Sequence, residues 1–508
     1  MQIATEQRLI LGAPGCGKTT RLLGIMEEEL ARGVSPARIA YVSFTRQAVN
    51  EAVTRAEQRF GVTHKDLPYF RTLHSVCFRE QGLSRNDVIG KAHYSELGSR
   101  LGYTFNSNKL NPDDGMPNAS DEGDRLLFTV NLARGRRVSL EEQWHDLNDY
   151  DMDLFALRRV AAELQEYKRE TGVLDFQDML DETVRTGVRL PVEVAIIDEA
   201  QDLTATQWAV CQTLFRDAHR VYVGGDDDQC IHKWGGADVD MFLALAGERE
   251  VLQKSYRLPQ SVYDIALRTV GRISHRFAKT WHPRDEAGAV HVLPHVEAVD
   301  WDAHPGTWMV LARNGYFLSE VELLLRNAGK LYYRRDGERS VSEDHYIAIQ
   351  TWERLRRGET APAAHVRIMY DYMRPGGSLQ RGAKGNAAFD DAHHYTMQEL
   401  RDRYGVQTKE MWHDALDGIA LDTREYYRLV LRSGEKLNTE PRIRVGTIHS
   451  VKGGEADNVV LMTDISWRTF QNYQKMPDDE HRVFYVGITR ARHNLYLIDA
   501  RSPQAYDL

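Results

Sequence analysis

Cysteine is scarce in this chain. Cys16, Cys77, Cys211 and Cys230 are the only ones in 508 residues, they lie far apart, and no CxxC pair occurs. That spacing excludes zinc or iron–sulfur sites built on local cysteine pairs and leaves reduced, mostly buried thiols as the expectation. Long apolar runs are also missing: no stretch approaches the ~20 uninterrupted apolar residues of a membrane span. The opening MQIATEQRLILGAPG has neither a basic n-region nor a cleavage site and runs straight into a strand-and-loop pattern. An intracellular, cytoplasmic protein with no membrane partner is therefore expected. Positive charge is in deficit, with a net charge of −9. This argues against a broad basic coat for nucleic acid, though not against a narrow channel with local Lys, Arg and aromatic side chains. Internal repeats and low-complexity segments are absent too, which excludes solenoids and disordered arrays.

What remains has an ordinary globular balance, 42% hydrophobic and 27% charged, in a chain too long for one domain. In the first ~75 residues short apolar runs alternate with helical periodicity. RLILGAP and IAYVSFT read as strands, and TTRLLGIMEEELARG and RQAVNEAVTRAEQRF as helices. Such alternation points to a parallel sheet. A mainly helical, polar stretch follows, with the loop-like NSNKLNPDDGMPNASDEGD, before sheet signals return at VEVAIIDEA and HRVYVGGD. A second alternating block runs from TWMVLAR, is interrupted after about Gly358, and resumes at IRVGTIHS. The expected class is α/β, with two parallel-sheet domains that each carry an insertion. The expected boundaries are 1–76 with 191–255, an insertion at 77–190, then 256–358 with 440–508, and a smaller insertion at 359–439.

The chemistry begins at Gly12-Ala-Pro-Gly15-Cys-Gly17-Lys18-Thr19, which fits G-x-x-x-x-G-K-[ST] directly after a strand and before a helix. Glycines let backbone N–H groups face phosphates, and the helix N-terminus favours negative charge. Lys18 would pair with the β- and γ-phosphates of a nucleotide, and the Thr19 hydroxyl would hold Mg²⁺, with Thr20 beside it. Further on, Ile196-Ile197-Asp198-Glu199 ends a buried strand in two adjacent acids. Such pairs also occur as solvated turn acids. Downstream of a phosphate loop, Asp198 suits Mg²⁺, and Glu199 suits orienting or deprotonating an attacking water.

Several ordered motifs resemble superfamily 1A helicases, the UvrD/PcrA/Rep group: SFTRQAVNEA (43–52), RTLHS (71–75), LDFQDML (174–180), IIDEAQDL (196–203), VGGDDDQCIHKWGGA (223–237), LQKSYRLP (252–259), VGTIHSVKGGEADNVVL (445–461) and RVFYVGITRAR (482–492). The resemblance implies two RecA-like motor domains and an ATP-dependent DNA helicase moving 3′→5′. It casts Gln229 as a γ-phosphate sensor. Arg257 and Arg490 become arginine fingers from the second motor domain, which would tie hydrolysis to domain closure. By the same resemblance Tyr256 stacks on adenine, Glu455 lies near the ribose and Gln7 reads the base, although the pattern between that glutamine and the phosphate loop is shortened here. ATP and Mg²⁺ are the implied cofactors, and single-stranded DNA and its junctions with duplex are the implied partners.

The DNA track implied by the resemblance comprises Phe44, Thr45, Arg46, Thr72, His74, Trp234, Thr447 and His449. Aromatic rings stack on bases with little sequence preference, and hydroxyls and imidazoles bond phosphates. The chain departs from the group at Trp234-Gly235-Gly236-Ala237, where relatives commonly carry arginine after the tryptophan, and at Arg46, where they commonly carry asparagine. The second insertion is small beside that of larger relatives, so weaker duplex engagement is expected, and no nuclease domain is expected after the last motif. Arg134, Arg136 and Arg137 read as either a duplex contact or a solvated basic turn. Asp390, Asp391, His393 and His394 read as solvated side chains in preference to a metal site. Two further readings stay open: a translocase that strips proteins from single strands with little unwinding, and a nucleotide-gated DNA-binding module without productive turnover.

Overall fold

The computed structural model describes residues 3, 6–43, 46–105, 121–147, 152–386 and 388–508. Two compact units emerge. The first comprises 1–289 with 471–493 and 508, and the second 290–470 with 494–507. The first unit thus holds two segments expected in the second domain, 256–289 and 471–493. Among the described residues no helix is long and apolar enough to cross a membrane.

The first sheet contains β1 (Glu6–Gly12), β2 (Ile39–Ser43), β3 (Phe70–Thr72), β4 (Val194–Asp198), β5 (Arg220–Gly225) and β6 (Glu248–Leu252), in the order β3-β2-β4-β5-β1-β6 with every neighbouring pair parallel. Its central strands β2, β4 and β5 are nearly continuous buried runs because both faces are covered there. Side chains alternate, so Leu9, Leu11, Ala40, Val42, Ala195, Ile197, Val221 and Val223 pack on one side with Leu73, Met179, Trp208 and Leu214. Ile10, Ile39, Tyr41, Val194, Ile196 and Tyr222 pack on the other with Leu22, Ile25, Met26, Ala52 and Ala56. The order brings the C-terminal ends of β4, β5 and β1 side by side, where parallel α/β sheets place their ligands.

The first insertion is helical, as expected. Helices Lys91–Leu101, Glu122–Arg136 and Leu154–Thr171 close a separate core of Leu97, Leu126, Leu127, Val130, Leu157, Val160, Leu164 and Tyr167. Its flanking helices, Leu73–Glu80 and Phe176–Thr186, contribute to the sheet core instead. The lobe is therefore narrower than 77–190.

A further sheet belongs mainly to the second unit. Its strands are β7 (Ala289–Leu293), β8 (Trp308–Ala312), β9 (Tyr332–Tyr333), β12 (Ile443–Thr447), β13 (Ala456–Met462) and β14 (Ala491–Ile498), in the order β7-β14-β13-β8-β12-β9. A short pair, β10 (Ala361–Pro362) and β11 (His394–Tyr395), lies between β9 and β12 in sequence. β12 runs parallel to β8 and β9, and β13 runs parallel to β8. Among the described residues, the segment 359–439 forms no lobe with a core of its own. Val366, Met369, Leu400, Trp412, Tyr426, Tyr427 and Val430 share one core with Trp308, Val310, Val445 and Val460 of the sheet.

Candidate functional site

β1 ends at Gly12, and the helix Lys18–Ala31 starts after five intervening residues. The turn between them needs left-handed backbone at Gly15 (φ 72°) and Gly17 (φ 77°), which glycine adopts without strain. Gly17 is the helix N-cap and provides no side-chain cap, so the first-turn N–H groups face outward to an anion. At Gly15 space is short as well: a Cβ there would lie 2.4 Å from Arg257 Cβ. Ser255 Oγ donates to Pro14 O at 2.8 Å, and Tyr256 N donates to Gly15 O at 2.8 Å, so the 255–257 segment is fastened to the phosphate loop. Lys18 Nζ donates to Gly12 O at 2.9 Å and is buried. Cys16 is buried in the same loop. Burial outweighs the nearby Lys18 and pushes its thiol up to about 11.

Asp198 closes β4. Its Oδ2 accepts from Thr19 Oγ1 at 3.3 Å and from the Tyr41 hydroxyl, and its Oδ1 accepts from Glu199 N at 2.9 Å. Burial, and then the adjacent Glu199, push its carboxyl up to about 6. Glu199 has φ 51°, one of two non-glycine residues in the left-handed region among the described residues. That conformation costs roughly 1–2 kcal/mol and turns the side chain off the strand line. Gln201 Nε2 holds Glu199 Oε2 at 2.5 Å, while Gln201 Oε1 accepts from Asp226 N at 3.0 Å.

Gln229 ends the short 3₁₀ turn Asp227–Gln229 after β5. Its Nε2 donates to Asp226 Oδ2 at 2.7 Å, and its Oε1 accepts from Arg490 Nη2 at 3.0 Å. Arg490 is 1% exposed and follows the helix Pro477–Ile488, where its Nε donates to Val486 O at 2.9 Å. Arg257 Nη1 reaches Thr489 O at 3.3 Å. Lys18, Asp198, Glu199, Gln229, Arg257 and Arg490 therefore all belong to the first unit, and the two arginines do not lie in the second as expected. Tyr256 is 69% exposed, and its ring passes beside Gly17. An aromatic face left open at a phosphate loop suits a base. The Thr20 hydroxyl accepts from Arg55 Nη1 at 3.3 Å.

The expected role of Gln7 needs correction. Gln7 is the second residue of β1 and so sits at the strand's opposite end from Gly12, about 16 Å away at ~3.3 Å per residue. Its amide is committed to backbone: Oε1 accepts from Ile3 N at 2.7 Å, and Nε2 donates to Ala246 O at 2.6 Å. Gln7 braces the strand and does not read a base. Glu455 is exposed in the second unit, just before β13.

On the expected DNA track, Phe44 and Thr45 lie outside the described residues, and Arg46 is exposed at the start of its helix. Thr72 caps the helix Leu73–Glu80, accepting from Ser75 N. His74 meets Phe176 edge-on at 6.0 Å, and Phe176 is 37% exposed. Trp234 is half-buried, stacked on Phe128 at 6.3 Å and edge-on to His232 at 5.7 Å. Thr447 and His449 are half-buried in the second unit. Arg134 is spent internally on Asp175 (2.7 Å), Asp178 (2.5 Å) and Asp181 (3.1 Å), and Arg136 pairs with Asp146 (2.8 Å). Asp391 pairs with Arg367 at 2.6 Å and His393 with Glu399 at 3.2 Å.

Sequence reading missed Gln201, Tyr41 and Ser255, and it missed the cations around Asp226, Asp227 and Asp228. Those three acids are the only group of three metal-capable ligands among the described residues, and the Lys279 ammonium sits among them. Three consecutive acids after an apolar strand are themselves the signal, since buried carboxylates require counter-charges.

Two family models match the chain: the UvrD/REP helicase N-terminal domain over residues 1–249 and the UvrD-like helicase C-terminal domain over 407–502. The chain is similar to "ATP-dependent DNA helicase PcrA" of Bacillus subtilis, 25% identical over 304 residues, which is 55% of this chain and 39% of that protein. The protein of the same name in Staphylococcus aureus is 23% identical over 312 residues, 56% of this chain and 40% of that protein. The chain thus spans about two-fifths of the length of these curated relatives. An Arterivirus nonstructural protein 10 helicase structure covers 98% of the chain at 12% identity, but its TM-score of 0.34 is too low to bear on the fold. With both halves of the family pattern matched and a phosphate loop, acid pair and glutamine assembled at the ends of a parallel sheet, this chain belongs to the UvrD/PcrA/Rep-like superfamily 1A helicases.

Proposed function

We propose that the chain is an ATP-dependent DNA helicase that hydrolyses ATP with Mg²⁺, moves 3′→5′ along single-stranded DNA and opens duplex at single-strand junctions. The observation that carries this is that Glu199, Gln229 and Arg490 are linked through Gln201 and Asp226 in the same compact unit as the phosphate loop, with Arg257 packed against Gly15 of that loop. Glu199, aimed by its left-handed backbone and by Gln201, takes a proton from the water that attacks the γ-phosphorus as the bond to ADP breaks. Lys18 and the loop N–H groups neutralise the β- and γ-phosphates, Arg257 and Arg490 meet the charge that develops, and Tyr256 stacks on the base.

Thr19 and Asp198 fit Mg²⁺. They present only hard oxygen donors 3.3 Å apart, and Asp198 is a buried carboxyl pushed up to about 6 by burial and Glu199, a condition that a dication relieves. A Mg²⁺ held by Thr19 and Asp198 would supply neutralisation of phosphate charge. Arg46, Thr72, His74, Trp234, Thr447 and His449, with Phe44 and Thr45, carry the strand. The 3′→5′ direction rests on the likeness of the 445–461 and 482–492 motifs to that group. A narrower reading, a translocase that strips proteins with little unwinding, is favoured by one observation: segment 359–439 is absorbed into the core of its unit and forms no separate lobe for duplex.

The test is steady-state ATP hydrolysis with and without single-stranded DNA, for the wild type and Glu199→Gln. Many-fold stimulation, reduced about 10²–10⁴-fold in Glu199→Gln while nucleotide still binds, supports the motor. ATP binding without stimulation overturns it in favour of the gated binding module. Forked duplexes with 3′ or 5′ tails then separate helicase from translocase and fix direction.

A further inference from the structure

The mechanism above leaves one buried charge cluster unused. Asp226, Asp227 and Asp228 are all 1% exposed or less, and the fully buried Lys279 ammonium lies 2.9 Å from Asp226 Oδ1, 2.9 Å from Asp228 Oδ2 and against Asp227 Oδ1. Arg276 clasps Asp228 with two bonds of 2.6 Å, and Phe277 N donates to Asp227 Oδ2 at 2.7 Å. Neutralisation alone would account for these contacts if they ended there, but they continue into the site. Asp226 takes Lys279 on Oδ1 and the Gln229 amide on Oδ2 at 2.7 Å. An ionised carboxylate only accepts, so it must face the NH₂ end of that amide. The carbonyl end is left facing Arg490 Nη2 at 3.0 Å. With the amide reversed, two donors would oppose each other and the guanidinium would be displaced.

We propose, building on the ATPase reading above, that Lys279 is a positioning residue for hydrolysis: by fixing Asp226 as a two-sided acceptor it sets the orientation of Gln229 and, through it, the placement of Arg490. Burial by itself raises the Asp226 carboxyl, yet Lys279, helped by Lys18 and Gln229, brings it below the ordinary carboxylate range. Lys279 thus keeps Asp226 an obligate acceptor across the working pH range.

The test uses Lys279→Met/Asp227→Asn, which removes one charge of each sign and leaves Asp226 and Gln229 in place. The expected result is a DNA-stimulated kcat lowered about tenfold or more, with the ATP KM within about threefold of wild type. A folded double variant with wild-type kcat overturns the proposal. Should that variant not fold, a cycle of Lys279→Arg with Arg490→Lys decides. Effects on kcat that fail to add support the relay, and effects that add overturn it. If the wild type itself shows no DNA-stimulated hydrolysis, it is the helicase reading that fails, which keeps the two outcomes apart.

Discussion

Two acid clusters stand at the ends of neighbouring strands, and Asp198 of one and Asp226 of the other answer burial in opposite ways. At the end of β4, Asp198 and Glu199 have a hydroxyl from Tyr41 and a distant ammonium, and burial drives Asp198 up to about 6. At the end of β5, Asp226, Asp227 and Asp228 enclose Lys279, and at Asp226 burial loses: its carboxyl is held below its usual range, while burial and the neighbouring acids still raise Asp227. The difference lies in where the cation comes from. The second cluster carries its counter-charge within the chain and is complete on folding. Under the proposed ATPase role the first would take its counter-charge from outside, as a site that binds and releases a metal–nucleotide pair requires.

The largest expected effect comes from emptying the completed cluster. Lys279→Met removes the ammonium that three buried carboxylates share, leaving Arg276 on Asp228 alone, and should cost about 3–5 kcal/mol, read as a lower urea midpoint. An unchanged midpoint would mean that water already reaches the triad. A third cluster widens the comparison. Where the helical lobe meets the helix Phe176–Thr186, burial raises Asp175, but Arg134 and Lys168 together outweigh it and bring it down to about 2. A carboxyl depressed in the folded state adds stability above its unfolded value near 4, and that stability is lost as pH falls towards 2. Wild type should therefore lose roughly 2 kcal/mol over that window, and Arg134→Met, about 3 kcal/mol weaker near neutral pH, should lose less of it. Urea melts across the acid range check this, and equal acid slopes would contradict it. The smallest effect belongs to the open cluster. Mg²⁺ at a tenfold excess over its Kd should stabilise the wild type by about 1.4 kcal/mol near neutral pH and leave Asp198→Asn unmoved. Equal shifts in both would place the cation elsewhere.

The phosphate loop, the acid pair and the two arginines were legible because each sits in a local pattern whose spacing the chemistry dictates. The parallel sheets were legible because strands buried on both faces are near-continuous apolar runs. Lys279 and Arg276 were not legible, since a counter-ion some fifty residues from its acids leaves no periodic trace. Gln7 misled because residue type was visible and strand direction was not weighed: the second residue of β1 lies at the wrong end of the sheet. The second insertion was legible as an interruption of the α/β alternation, but sequence does not say whether such a segment packs on itself or on the neighbouring sheet. The segments 256–289 and 471–493 changed unit because packing, and not order along the chain, decides where a helix belongs.

Cys16 sits in the phosphate loop with its thiol protonated at neutral pH and shielded from solvent. Alkylation needs an accessible thiolate, so the closed loop should be inert to maleimide. The labelling rate then becomes a clock for the opening of the loop, intrinsic to the native chain. Slowing by nucleotide would count the fraction of time the loop is shut, and any acceleration along DNA would time the motor's cycle without an attached dye.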